Sequence, residues 1–178
     1  MHRFRMFLTT IVASVLFGAA TASGAMAQEE GPPMPPPGDP FAGVLSGSAS
    51  FTPNDECPLG VKTVVDSAGV TTIGEVSMHA EHCATLGAPT VSDGEVTLTV
   101  DGDDQISGSY FIDCDPPLPT VPEGELITCP GRFVFTAGTG VFSEVAGTAH
   151  TSSYVWFPGT LEAQEWPWIA ELHGSISY

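Results

Sequence analysis

The chain has 178 residues, with 21 Asp and Glu against 4 Lys and Arg, for a formal charge of −17. That balance excludes a general nucleic-acid binder, which needs basic side chains to displace counterions from phosphates, and it argues against docking on anionic lipid. A length of this order allows one domain with a real core, and the abundance of Gly, Ser, Thr and Val favours strands and turns over helices.

In chain order, Arg3 and Arg5 precede an apolar stretch over residues 6–20, followed by small residues ending in Ala25-Met26-Ala27. A basic start, an apolar middle and a small-x-small site make residues 1–27 a signal peptide, cleaved after Ala27. The apolar stretch is shorter than the ~20 residues a spanning helix needs, and no cysteine lies near the cleavage point to carry a lipid. No later segment has the character of a membrane span, so the expected location is secreted or periplasmic. Residues 28–40 hold six prolines between Gly31 and Pro40 and read as a stiff polyproline-type linker.

From Phe41 to Tyr178 the hydropathy pattern has a period of two, the mark of half-buried strands. Leu45, Gly47, Ala49 and Phe51 alternate with hydroxyl-bearing residues, and Val76, Met78 and Ala80 alternate with Glu75, Ser77, His79 and Glu81. Val96, Leu98 and Val100 share a face, as do Ile106, Gly108, Tyr110 and Ile112 after the turn Asp101-Gly102-Asp103-Asp104. Asp-Gly between two alternating runs is a hairpin signal. Further strands are expected over 61–66, 131–137 and 147–157. A final strand places Trp168, Ala170, Leu172, Gly174, Ile176 and Tyr178 on one side. The prediction is an all-β domain over 41–178, a closed antiparallel barrel of about eight strands, with a two-sheet sandwich as the alternative. A barrel accounts better for strongly patterned first and last strands, because closure removes exposed edges.

Cys57, Cys83, Cys114 and Cys129 form an even set in an exported chain, which predicts two disulfides out of three possible pairings. Cys114–Cys129 and Cys57–Cys83 are the expected pairs. The first ties a loop with Pro116, Pro117, Pro119 and Pro122, which lack the N–H that a sheet needs. A metal site from His79, His82 and Cys83 is the competing reading, but residues three apart on a strand face opposite ways.

Residues 133–149, Phe-Val-Phe-Thr-Ala-Gly-Thr-Gly-Val-Phe-Ser-Glu-Val-Ala-Gly-Thr-Ala, end a strand and turn sharply at Gly138-Thr139-Gly140. Phe142 and Val145 then lie on a short helical turn able to plug one end of a barrel. This segment resembles the glycine-aromatic signature of the allene oxide cyclase and dirigent-like barrel superfamily, and is closer still to secreted bacterial relatives. Thr72-Ile73-Gly74, the Asp101–Asp104 hairpin and the closing Gly174–Tyr178 are similar too. The resemblance implies the barrel fold. Ala137 stands where the first glycine of the usual pair is expected, and none of the superfamily's catalytic residues matches a position here.

The candidate site residues are few. His79 and His173 are in phase with polar residues and are expected to face solvent. His150 shares its face with Tyr154 and Trp156. If that face turns inward, His150 lines a ligand pocket with Tyr110 and Trp168, open to a small hydrophobic ligand. Small residues on the inward faces serve either to bend the strands or to leave such a pocket. Asp101, Asp103 and Asp104 are a weak candidate for Ca²⁺, and no cofactor is expected. The functional expectation is a secreted, non-enzymatic β-barrel with a structural or binding role. The alternative is an isomerase or cyclase acting on a small hydrophobic substrate inside the barrel.

Overall fold

A computed structural model describes residues 38–83, 90–115, 122–159 and 165–178. The signal-peptide segment, most of the proline-rich linker, and Pro116, Pro117 and Pro119 lie outside the described residues. Eight antiparallel strands form a closed barrel in chain order, each hydrogen-bonded to its neighbours in sequence and β1 to β8. They are β1 (Asp39–Pro53), β2 (Val61–Thr71), β3 (Gly74–Cys83), β4 (Thr90–Val100), β5 (Asp104–Asp113), β6 (Leu126–Gly138), β7 (Ala146–Trp156) and β8 (Trp166–Ser177).

The predicted alternation places the core. Val96, Leu98 and Val100 are buried on β4, as are Ala149 on β7 and Ala170, Leu172 and Ile176 on β8. The seam between β1 and β8 runs in continuous register from Asp39↔Ile176 to Ala49↔Trp166, which settles the architecture as a barrel and not a sandwich. It also moves the linker boundary. Asp39 and Pro40 belong to β1, where the sequence placed them in the linker; Pro40 is tolerated beside the strand's first residue, where a missing N–H costs least.

The interior is filled. Phe41, Leu45, Leu98, Ile106, Phe135, Trp166, Leu172 and Ile176 are each under 2% exposed. Tight coiling brings the strands close enough for this. A Cβ on Gly174 would stand 1.9 Å from the Thr148 carbonyl oxygen, and one on Gly108 equally close to that of Val134. At these two positions the backbone of the neighbouring strand stands where a side chain would, the close approach expected at kinks in a small closed barrel. Gly74 lies at the β2–β3 turn with φ +129°.

The two ends of the barrel differ. At one end the strands are joined by short turns, and a 3-10 turn at Gly140–Phe142 drives Phe142 and Val145 into the opening, 4% and 3% exposed. Tyr178 remains exposed there and packs its ring 4.7 Å from that of Phe142. The other end carries the longer connections and both disulfides. Cys57–Cys83 ties the β1–β2 connection to the end of β3, and Cys114–Cys129 ties the end of β5 to β6. These are the expected pairs, and two disulfides are compatible with an extracellular or periplasmic location. Among the described residues no helix is long and apolar enough to cross a membrane.

Candidate functional site

Of the three residues proposed to line an interior pocket, Tyr110 and Trp168 point inward, 5% and 8% exposed. His150 does not. It is exposed on the outside of β7, while its neighbours Ala149 and Thr151 take the interior. The physical reason is register. Ala149 is paired between Phe133 and Gly174, so its face joins the core and the His150 face turns out. His79 and His173 are exposed, as expected.

The interior polar site is built around a histidine that the sequence reading set aside. The inward row of β3, Val76, Met78 and Ala80, continues by two residues to His82. His82 Nδ1 and the Tyr110 hydroxyl are hydrogen-bonded, with the rings edge to face at 5.8 Å. The two residues lie on β3 and β5, with β4 between them. Contact is possible because Gly94 on β4 is directly paired with Tyr110 beside a bulge at Val91–Gly94. A Cβ on Gly94 would lie 2.3 Å from the phenol ring. The ring thus occupies the place of the missing side chain and leans across β4 towards His82, while Phe133 supports it at 5.6 Å.

Burial dominates the electrostatics of this pair. It pushes the His82 imidazole down from 6.5 to about 4, against the opposing pull of the Asp93 charge. Burial likewise pushes the Tyr110 phenol well above its ordinary value, helped by Glu81 and Asp93. Both are neutral at ordinary pH, because a low-dielectric setting penalises the charged form. With the phenol donating to Nδ1, the imidazole proton sits on Nε2, and no partner for that nitrogen exists among the described residues. Cys83 follows directly, so the Cys57–Cys83 disulfide holds His82 in place at the long-loop end.

The same end gathers aromatic rings. Trp166, 1% exposed, lies 4.6 Å from Phe51 and 5.1 Å from Phe157, and its Nε1 has no hydrogen-bond partner among the described residues. Thr151 Oγ1 is buried and likewise unpartnered among the described residues, whereas Ser153 Oγ donates to the Cys129 carbonyl at 2.8 Å. A neutral donor-acceptor pair among aromatic walls can orient a small molecule by one hydrogen bond, or relay a proton.

The acidic hairpin has another occupation. Asp101 Oδ1 accepts the Glu75 N–H at 3.0 Å and Asp104 Oδ2 accepts the Val141 N–H at 3.1 Å. These carboxylates cap turns, and no group of three or more metal-ligating side chains gathers there or elsewhere among the described residues. Asp103 is exposed at the tip. On the outside of β2 and β3, Asp66 Oδ1 contacts His79 Nδ1 at 2.8 Å, and Lys62 donates to Glu81 at 2.9 Å. That bond holds the Glu81 carboxyl below, and the Lys62 ammonium above, the usual range. His79 and Cys83 are thus engaged separately, His79 outside the barrel and Cys83 in a disulfide, which removes the metal alternative.

Two grooves, of about 750 and 490 Å³, run along the outside of β2–β5, and a third of about 400 Å³ lies at the short-turn end. Comparison with protein-family profiles, with curated proteins and with solved structures returned no match.

Proposed function

We propose that the chain is an exported, non-enzymatic β-barrel with a structural or binding role, and that its working region is the long-loop end around His82 and Tyr110. The packed interior carries this reading. Eight large side chains under 2% exposed occupy the volume a ligand would need, so recognition falls to the barrel mouth and the outer faces. The signal-like N-terminus supports export after Ala27, to the periplasm or beyond. Kinship with the dirigent-like barrels belongs to this proposal and rests on the 133–149 segment. The test is incubation with a panel of fatty-acid and phenolic compounds, followed by product analysis. No conversion is expected. Turnover by the native protein that His82→Gln abolishes would overturn the reading.

One observation favours a second reading, an isomerase or cyclase acting on a small hydrophobic substrate. The neutral His82–Tyr110 pair brings a buried donor and acceptor into hydrogen-bond contact, able to orient a substrate or relay a proton. On this reading the same panel shifts tryptophan fluorescence and melting temperature, because Trp166 lies at the same long-loop end of the barrel as the pair. Unchanged fluorescence and melting across the panel would remove it.

A further inference from the structure

We infer that His150 and His173 form a surface chelate for a divalent transition-metal ion of the imidazole-preferring kind, with Cu²⁺ bound most tightly. The two residues are directly paired across β7 and β8, and both are exposed. Opposed residues on antiparallel strands have Cβ atoms ~4.5–5.5 Å apart on the same face. Two imidazoles so placed converge on one ion at the ~2.0–2.1 Å of a metal–nitrogen bond. Neither histidine makes a hydrogen bond or ion pair with another described residue, so their ring nitrogens are free to ligate. No third metal-ligating side chain joins them among the described residues. The site is therefore an open two-nitrogen chelate, whose remaining positions fall to water or an incoming ligand.

The alternative occupant is an anion, because Arg132 is paired with His150 on its other side. Charge decides against it. The chain as a whole carries −17, which concentrates cations and repels anions at its surface. Glu171, exposed two residues before His173 on the same face of β8, offsets the guanidinium locally. Imidazole selects copper, nickel and zinc over calcium or magnesium, and copper binds most tightly of the divalent series.

The test is titration of the metal-free protein with CuCl₂, followed by electron paramagnetic resonance and calorimetry at mildly alkaline pH. One equivalent with a two-nitrogen hyperfine pattern is expected. His150→Asn and His173→Asn should each weaken binding at least tenfold, since even outer-shell changes reach about that size. His79→Asn is the control, because His79 is already engaged with Asp66. All three variants alter exposed side chains, and melting curves verify their folding. His150→Gln and His173→Gln repeat the measurement should either Asn variant fail to fold. Equal binding in the His150 and His173 variants, loss in the His79 variant, or no binding at micromolar metal would each overturn the inference.

Discussion

Tyr110 reaches over Gly94 to hydrogen-bond His82, so two strands that are not neighbours in the sheet share a polar contact. Ordinarily β4 would hold β3 and β5 side chains apart. The missing Cβ at one position of β4 removes that separation, and the pair becomes the most strongly perturbed titratable site among the described residues.

The first prediction concerns pH. His82 titrates near 6.5 unfolded and about 4 folded, so between those values the unfolded chain binds the extra proton. Stability from this group is complete above pH 6.5 and is lost as pH falls towards 4, by up to about 3 kcal/mol. Carboxylate protonation acts across the same range in both proteins, so the readout is a difference. Urea denaturation of the native chain and His82→Gln, followed against pH, should show a steeper acid loss for the native chain. Parallel curves would contradict it.

Removing the phenol tests the contact itself. Tyr110→Phe leaves Nδ1 of His82 without its partner and should lower stability by about 1–3 kcal/mol. Gly94→Ala places a methyl where the ring lies, 2.3 Å from its carbon atoms, and should destabilise by about 1–3 kcal/mol through overpacking. The two costs should not add, because both act on the same ring. Denaturant midpoints of the single and double variants measure this.

Both disulfides should be quantitative. No free thiol is expected before reduction and four after it. The Cys114–Cys129 bridge closes a sequence separation of 15, worth about 3 kcal/mol in the chain-entropy treatment. The double Ser variant should lose about that much in a urea melt.

Calcium should leave the melting curve unchanged, because Asp101 and Asp104 already accept backbone N–H groups. Calorimetric scans with calcium and with a calcium chelator measure this, and a rise of several degrees with calcium would show a site.

Strand bending gives a further test. Gly174→Ala puts a methyl 1.9 Å from the Thr148 carbonyl oxygen, where backbone surrounds it and cannot yield as a flexible side chain would. A loss of about 1–3 kcal/mol is expected, readable as a lowered melting temperature.

The barrel was legible because most strands alternate cleanly, as Val96, Leu98 and Val100 do against Thr97 and Thr99. The site was less so. His82 continues the inward row of Met78 and Ala80, and counting two residues further would have placed it; its nearness to Cys83 drew attention to metal chemistry instead. His150 was ambiguous for a different reason. Both faces of Ala149–Trp156 carry small hydroxyl residues, with Thr151 and Ser153 buried and Ser152 exposed. Local pattern gives no phase there, and pairing with β6 and β8 decides it. The contact across Gly94 depends on a bulge, which no periodicity announces.

Seven of the eight strand pairings join segments consecutive in the chain, and only the β1–β8 seam brings together residues as distant as Asp39 and Ile176. The hairpins span far fewer residues than the seam and close at lower entropic cost, whereas the seam must gather nearly the whole domain and is expected to form last. Until it does, β1 and β8 are both bare strand edges, ready to accept one another from separate molecules. Refolding at high concentration should therefore trap strand-exchanged dimers through this seam, and dilution should suppress them.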